Sequence, residues 1–252
     1  MSEQDVLPQP TIRPRRIVVQ PLSAHDHCMD CEVRHTSVCS ALDVHDLPRL
    51  AALAQQITVP AGQVFISDGT TAEHFYNVTH GTVRLYKLLP DGRRQITGFA
   101  GPGHFLGLAV STCYAFDAEA IDDVTLCRFS RARLHAILGD LPSLERRLLE
   151  VAASELVLAQ EQMLLLGRKT ARERLASFLV HMLPEGCIAG TDRATLHLPM
   201  PRGDIADYIG LTVETVSRSF SGLKSAGLIA IPNHVDVIVR DIAGLRQVAD
   251  GA

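Results

Sequence analysis

The chain has 252 residues, of which 46% are hydrophobic, and a formal net charge of −4 at neutral pH. This length predicts one large domain or two of medium size, and the net charge excludes a protein that binds nucleic acid through a general positive field. No stretch reaches the ~18 uninterrupted apolar residues of a membrane span, and no secretory signal opens the chain, so we expect a cytoplasmic protein with no membrane partner.

Residues 1–40 predict a flexible arm that carries a cluster of cysteines. Its first part is rich in proline and has little periodicity. Three of the six cysteines then follow with the spacing C-x2-C-x7-C, at Cys28, Cys31 and Cys39. Disulfides are rare in a reducing compartment, so clustered thiols indicate metal or redox chemistry.

Three thiolates bind either zinc or an iron–sulfur cluster, and both usually take a fourth ligand. The candidates for that ligand are Cys113, Cys127 and His35. The alternative is a set of partly buried thiols that hold no metal. A thiol-based enzyme built on Cys28-x-x-Cys31 would need a βαβ setting, which does not follow here, and we expect no enzymatic activity.

Residues 41–139 predict a β-roll or barrel that would serve as a sensor domain. Short β-branched or alternating runs, such as "HFYNVTHGTVRLYKLL" and "RRQITGFA", are separated by glycine turns. Asp91-Gly92 between two such runs is a strong hairpin signal. Many short strands without an intervening long helix are typical of closed or rolled sheets.

Residues 140–167 predict one long helix, with Asp140 as the N-cap candidate and Pro142 near the first turn. Its apolar positions form two seams, each stepping by threes and fours. The first comprises Leu144, Leu148, Val151, Leu158 and Leu165. The second includes Leu149, Ala152, Leu156, Ala159 and Met163. Two seams indicate that the helix packs on its own domain and also on a second copy of the chain, which predicts a homodimer. The alternative is a single wide core stripe.

Residues 168–252 predict a winged helix-turn-helix domain. In "RGDIADYIGLTVETVSRSFSGLKSAGLI" Gly210 would end the first helix and Val213, Val216, Phe220 and Leu223 would line the buried face of the second. "GLIAIPNHVDVIV" then predicts a hairpin wing. The exposed face at the start of the second helix suits base contacts, because arginine can bind guanine and glutamate can accept from cytosine. The candidate DNA contacts are Thr212, Glu214, Thr215, Ser217 and Arg218. The alternative is a helical hairpin with a solvated polar face.

"GDIADYIGLTVETVSR" is similar to the helix-turn-helix of the Crp–Fnr superfamily, in particular its Fnr branch, and "DGRRQITGF" and "LLLGRKTARERLASFL" resemble that branch too. The resemblance covers most of residues 28–245. It implies an α+β protein with an N-terminal β-roll of the cyclic-nucleotide-binding type (a double-stranded β-helix), a long dimerisation helix and a C-terminal winged helix-turn-helix. It also implies that Glu214, Ser217 and Arg218 read TTGAT-type half-sites in palindromic double-stranded DNA, with RNA polymerase as a further partner.

The Fnr resemblance implies a 4Fe–4S cluster held by the three N-terminal cysteines and one cysteine of the roll. The distant ligand of that family lies in a strand after an acidic loop, and "IDDVTLCRF" matches this pattern, so Cys127 is the expected ligand and Cys113 the alternative. The implied function is an oxygen-responsive regulator that dimerises and binds DNA at low oxygen. The alternative is a zinc-stapled or cluster-free regulator that is constitutively active.

Cyclic-nucleotide sensors of this superfamily hold the phosphate with an Arg-Ser/Thr-Ala segment after a Gly-Glu pair. The corresponding stretch here, "GPGHFLGLAVSTCYAF", contains neither arginine nor glutamate. A bound phosphate needs such a cation or a nest of amides. We therefore expect no cyclic nucleotide.

Overall fold

A computed structural model describes residues 16–21, 26–108, 112–184 and 193–251. Its N-terminal part is the expected β-roll, in which two antiparallel sheets face each other. One sheet has the strand order β1-β2-β9-β4-β7 and the other β3-β8-β5-β6. The strands are β1 (Val18–Pro21), β2 (Ala54–Val59), β3 (Val64–Ile66), β4 (His74–His80), β5 (Val83–Leu88), β6 (Arg94–Ala100), β7 (Phe105–Leu106), β8 (Asp117–Ala120) and β9 (Val124–Ser130).

The core of the roll lies between the two sheets, where alternate residues of each strand point inward. Val78 of β4, Val83 of β5 and Leu126 of β9 are fully buried there. The hairpin predicted at Asp91-Gly92 is confirmed, because β5 and β6 pair on either side of it. Strand β9 pairs with β2 on one side and β4 on the other, so Cys127 sits in the middle of its sheet.

The prediction of a flexible arm over residues 1–40 needs correction where the structure describes it. Strand β1 pairs antiparallel with β2, and helix α1 (Asp26–Met29) and a 3₁₀ turn (Val38–Ala41) follow. The side chains of Val18 and Val19 remain about half exposed. A strand held mainly by backbone hydrogen bonds at a sheet edge has no buried face, so its sequence shows no apolar alternation.

Three helices flank the roll along the chain: α2 (Leu47–Ala51) precedes β2, and α3 (Arg131–Leu138) and α4 (Pro142–Arg168) follow β9. Asp140 does not cap α4. Leu141 occupies the N-cap position without a side-chain hydrogen bond, and Asp140 Oδ2 accepts from Arg49 Nη2 at 2.8 Å instead. The expected long helix is nevertheless present and is 27 residues long.

The two seams of α4 differ in burial. In the first seam, Leu144 and Leu165 near the two ends are 1% and 6% exposed. The second seam faces away from the chain: Leu149, Leu156 and Met163 are 67%, 61% and 71% exposed, and Ala152 and Ala159 are exposed as well. A strip of large apolar side chains along one face of a helix is typical of a surface that another protein surface covers.

The C-terminal part is a helix-turn-helix unit with a three-stranded antiparallel sheet of order β10-β12-β11. Thr170 and Glu173 form a capping box that starts the first helix. The last two strands form the predicted hairpin wing. The elements are α5 (Ala171–His181), β10 (Ala194–His197), α6 (Arg202–Ile209), α7 (Val213–Ser225), β11 (Ile229–Ala230), β12 (Asp236–Val239) and α8 (Ile242–Asp250).

The turn between α6 and α7 has the predicted form. Gly210 ends α6 in the left-handed region, with φ 65° and ψ 45°. A Cβ at this position would lie 2.9 Å from Cδ2 of Leu166, so glycine is required by backbone conformation and by the close packing of α4. Within the part of the chain that the structure describes, no helix is long and apolar enough to cross a membrane.

Candidate functional site

Four cysteines line one small cavity between the roll and residues 26–41, which we call the N-terminal segment. One of the four lies more than 80 residues further along the chain than the other three. The four cysteines are Cys28 of α1, Cys31, Cys39 of the 3₁₀ turn and Cys127 of β9. We call this the sulfur cavity. Its other walls are mainly apolar, with two polar exceptions, Arg34 and Asn77; the remaining lining residues are Leu47, Leu50, Ala51, Ala54 and Phe129.

The two other ligand candidates do not line the sulfur cavity. Cys113 forms an isolated bridge with Thr71 elsewhere in the roll, and His35 is exposed. Of the alternatives weighed for the fourth ligand, the geometry therefore favours Cys127. Arg34 and Asn77 were not singled out from the sequence, since neither residue type nor spacing marks them.

Local hydrogen bonds fix the shape of the N-terminal segment, and a close approach fits it to the roll. Ser37 caps the 3₁₀ turn, and its Oγ accepts from the backbone N–H of Cys39 at 3.2 Å. The backbone N–H of Arg34 donates to the carbonyl of Cys31 at 3.0 Å. On the opposite side, Gly103 lies so close to Thr36 that a Cβ would be 2.8 Å from Thr36 Oγ1. The segment is thus fitted to the surface of the roll.

Burial raises the pKa values of three of the four thiols in the sulfur cavity. It raises the pKa of Cys39 to about 11 and that of Cys127 to about 12. Burial also raises the pKa of Cys28, with a further rise from the neighbouring Cys31 and a smaller opposing effect from the Arg34 guanidinium. These thiols are therefore protonated at neutral pH, and binding a metal has to displace their protons.

The donor set fits soft-metal chemistry. Four sulfurs and no carboxylate or imidazole line the cavity, and iron–sulfur clusters are held by four cysteine thiolates. Among the described residues, no three His, Cys, Asp or Glu side chains are grouped so as to hold a single metal ion. The cavity volume is about 20 Å³, room for roughly one water molecule.

The sulfur cavity is continuous with the packing at the start of α4. Cys28, Cys39 and Cys127 pack against an apolar cluster that also contains Val38 of the 3₁₀ turn and Leu144 of α4. Leu148 and Val151, the next residues of the buried seam, pack on the same cluster. The N-terminal segment and the first turns of the long helix therefore share one closely packed apolar cluster.

Helix α7 has one buried and one exposed face. Val216, Phe220 and Leu223 are buried, as predicted, whereas Val213 is 44% exposed, because it lies in the first turn beyond the edge of the core. Thr212 caps the helix, and its Oγ1 accepts from the backbone N–H of Thr215 at 3.3 Å.

The candidate DNA contacts cluster on the exposed N-terminal face of α7. Thr212, Glu214, Ser217 and Arg218 are exposed and Thr215 is half-buried. Arg218 Nη2 donates to Thr215 Oγ1 at 3.2 Å. The pKa of Glu214 is lowered by a hydrogen bond from its own backbone N–H, by the Thr212 hydroxyl and by Arg218. The face therefore presents one anion and one cation, each oriented by a neighbouring hydroxyl.

Comparisons with known proteins identify both halves of the chain. The family described as a cyclic nucleotide-binding domain matches residues 56–140, and the Crp-like helix-turn-helix domain matches residues 173–248. The nitrogen fixation regulation protein FixK of Bradyrhizobium diazoefficiens is 43% identical over 220 residues, covering 87% of this chain and 92% of FixK. The chain belongs to the Crp–Fnr family of transcription regulators.

Two further similarities place the chain within the Fnr-type branch of the Crp–Fnr family. The transcriptional activator protein FnrL of Cereibacter sphaeroides is 38% identical over 232 residues, covering 88% of this chain and 91% of FnrL. The solved structure of FixK2 from Bradyrhizobium japonicum matches with a TM-score of 0.71 and 38% identity, over 77% of this chain and 96% of that one. The resemblance seen in the sequence is confirmed, as is its fold. The relatives are named as regulators, not as enzymes.

A buried group of charges, which the sequence did not reveal, joins the two halves of this Crp–Fnr regulator. Arg84 of β5 pairs with Glu119 of β8 and, at 2.7 Å, with Asp204 of α6. Arg94 of β6 pairs with Asp204 at 2.6 Å and with Asp207 at 2.7 Å. We call these five side chains the ionic junction. The Asp204 side chain is only 3% exposed.

Further contacts surround the ionic junction. Burial works to lower the pKa of Arg84, yet the hydrogen bonds that it donates to Glu119 and Asp204 raise that pKa above its ordinary value. Gln95 Nε2 donates to the carbonyl of Asp207 at 2.6 Å, and the ring of Phe99 lies 5.5 Å from that of Tyr208. Helix α6, and with it the recognition helix α7, is thus held against the roll.

Proposed function

We propose that this chain is an oxygen-responsive transcription regulator in which Cys28, Cys31, Cys39 and Cys127 hold a 4Fe–4S cluster. The observation that carries the proposal is the convergence of these four thiols on one cavity. Four cysteine thiolates are the ligands of such a cluster, and the cavity offers four cysteine sulfurs without a carboxylate or an imidazole. The similarity to FnrL and the other Fnr-type regulators favours an iron–sulfur cluster over zinc.

When bound, the cluster supplies an oxygen-labile tie between the N-terminal segment and β9. The residues of the chain convert that tie into a signal. Val38 of the 3₁₀ turn packs in one apolar cluster with Leu144 and Leu148 at the start of α4, so these side chains would connect the cysteines to the long helix. Coupling between the sulfur cavity and helix α4 requires only one packed interface that has two arrangements.

The exposed seam of α4 is the proposed dimer interface. Leu149, Ala152, Leu156, Ala159 and Met163 follow one another at spacings of three and four, which is the pattern by which two helices interlock. A symmetric pair of α4 helices would present two copies of α7 about one DNA turn apart, ~34 Å, on a palindrome. Residues Thr212, Glu214, Thr215, Ser217 and Arg218 would contact TTGAT-type half-sites, and RNA polymerase would contact the bound dimer.

The proposal is tested by assembling the full-length protein with iron and sulfide under anaerobic conditions. Its absorption spectrum, iron and sulfide content and gel shift on a TTGAT palindrome are then recorded before and after exposure to air. We expect about four irons and four sulfides per chain and a dimer bound to DNA under anaerobic conditions. In air, the cluster and the DNA binding should both be lost. Protein that contains zinc, or no metal, and binds equally well in air would overturn oxygen sensing and leave a constitutive regulator.

A further inference from the structure

Asn77 occupies an unusual place for a polar residue. It lies on β4, where Tyr76 and Val78 point into the core of the roll. Asn77 points the other way, toward the N-terminal segment, and is only 2% exposed. On the same outer face, Phe75 belongs to the apolar cluster that covers the roll. An apolar side chain would be the ordinary occupant of such a position.

The side chain of Asn77 is incompletely hydrogen-bonded. Its Oδ1 is fully buried and has no hydrogen-bond partner among the described residues. Leaving a buried polar atom unpaired costs free energy, and native proteins rarely tolerate it without a reason. The partner must therefore come from something that the protein atoms around Asn77 do not supply.

The sulfur cavity is where that partner would lie. Asn77 lines the cavity together with the four cysteines, and it stands directly opposite Cys127 in the β4–β9 ladder. Opposed residues of an antiparallel pair have Cβ atoms about 5 Å apart, so the side chains of Asn77 and Cys127 start side by side at the wall of the cavity. Among the cavity's polar groups, Arg34 lies on the N-terminal segment, whereas Asn77 is fixed to the roll.

A carboxamide carries an acceptor oxygen and an N–H₂ donor on one planar group, and a half-turn about its last side-chain bond exchanges them. The sulfur of a thiolate or of a cluster can only accept, so Asn77 would pair with it after the half-turn that brings Nδ2 to the position of the unpaired Oδ1. We infer that Asn77 is a positioning residue of the sulfur cavity, whose Nδ2 donates a hydrogen bond to a sulfur of the cluster or of the Cys127 thiolate. This inference rests on the proposed function and adds a residue to it. Donors to sulfur stabilise the more electron-rich state of an iron–sulfur centre, so Asn77 makes the cluster harder to oxidise.

The inference makes predictions of opposite sign for two states of the protein. Asn77→Leu removes the donor, so we expect the loaded cluster to lose its visible absorbance in air about tenfold faster than in the wild type. The same change removes the unpaired polar atom from the metal-free protein, so its melting temperature should rise by about 3 °C. A residue with a purely structural role would lower the melting temperature when replaced.

Two further variants complete the experiment. Asn77→Ser keeps a small hydrogen-bond donor, so its cluster absorbance should decay at an intermediate rate. If the leucine variant does not fold, the decay rate of the serine variant still tests the inference. Thr79→Val is the matched control, because Thr79 lies two residues along the same strand and its hydroxyl is already bonded to the carbonyl of Thr125 at 2.9 Å. It should decay at the wild-type rate and show no rise in melting temperature.

The outcomes separate this inference from the function on which it rests. If wild-type protein takes up neither iron nor sulfide, the proposed function is overturned and the inference with it. If the wild type loads but Asn77→Leu and Asn77→Ser lose their clusters at the wild-type rate, only the inference is overturned. A melting temperature of metal-free Asn77→Leu that is below the wild-type value would likewise assign Asn77 a structural role.

Discussion

The sulfur cavity and the ionic junction lie on opposite sheets of the same roll, and they are built in opposite ways. Around the cavity, burial raises the pKa values of Cys28, Cys39 and Cys127, Asn77 Oδ1 has no partner among the described residues, and the walls are mostly apolar. At the junction, each of the five charged side chains makes at least one ion pair, and Arg84, Arg94 and Asp204 make two each.

The difference assigns the two regions different tasks. A cavity that contains a polar group without a hydrogen-bond partner is stabilised by a ligand that pairs with this group, so its state depends on that ligand. A buried ionic group that is already complete loses stability in any other arrangement. The cavity is thus suited to respond, while the junction is suited to hold α6 and α7 in a fixed relation to the roll.

The largest expected effect comes from removing one sulfur of the cavity. Cys127→Ser should prevent assembly of the cluster, because an oxygen in the central strand is a poor ligand for iron in this setting. Anaerobic DNA binding should then fall to the level of air-exposed wild type. Absorption spectra and gel shifts under anaerobic conditions measure both.

Cys113→Ser provides the control for Cys127→Ser, since Cys113 lies in the same roll but outside the sulfur cavity. It should load a cluster and bind DNA as the wild type does. If Cys127→Ser retains the full cluster absorbance while Cys113→Ser loses it, the ligand assignment is reversed and the cavity is not the sensor site.

A second variant tests whether the sulfur cavity controls DNA binding through the proposed dimer interface. Leu156→Glu places a charge in the exposed seam of α4, 61% exposed in the isolated chain, and burying unpaired charge between two helices costs several kcal/mol. We expect a loaded monomer that binds the palindrome at least a hundredfold more weakly. Light scattering and gel shifts measure this, and Glu155→Gln, beside it on α4, serves as a control with little effect.

Sequence reasoning could single out the cysteines of the cavity but not their setting. The close spacing of Cys28, Cys31 and Cys39 marks them as candidate ligands, whereas Cys127 is preferred to Cys113 through the resemblance to the Fnr branch. Asparagine is common in strands and turns, and only the buried position of Asn77 beside Cys127 gives it meaning. The exposed seam of α4 was predictable for a related reason, because a helical period is visible in the residues themselves.

The ionic junction could not be predicted because its partners are far apart and individually ordinary. Arg84 and Asp204 are 120 residues apart, and a charged residue in a strand or in the first turn of a helix is usually solvated. The predicted N-cap at Asp140 was wrong for a comparable reason, since Arg49 from a distant helix takes up that carboxylate. Such pairings depend on how the elements pack, which local patterns do not encode.

The third prediction tests whether the junction is fixed. Asp204→Ala leaves Arg84 and Arg94 without their shared partner, and breaking a buried ion pair costs about 3–5 kcal/mol. We expect a loss near the lower end of this range in chemical denaturation, because the two arginine side chains are 18% and 25% exposed. Asp207→Ala, whose side chain is 36% exposed, should cost under about 1 kcal/mol. Equal small losses for both would contradict a buried, specific junction.

The smallest effect concerns the recognition helix. Arg218→Ala should weaken binding to the palindrome by about 1–3 kcal/mol and relax the preference at one base pair, which is measured by titrating operators with single substitutions. Ser221→Ala is the control, because the Ser221 hydroxyl already donates to the carbonyl of Ser217 at 3.0 Å and should contribute little to DNA binding. An equal loss on every operator would contradict base readout by Arg218.

The same variant also tests the contrast between the two regions. Helix α7 is tied through α6 to the complete junction and not to the cavity, so Arg218→Ala and the loss of the cluster should act independently. Their free-energy effects on DNA binding should then add, as effects of distant sites without shared partners do. If Arg218→Ala instead has a different effect in anaerobic and air-exposed protein, the cavity reorients α7 within each chain, and the junction moves with the signal.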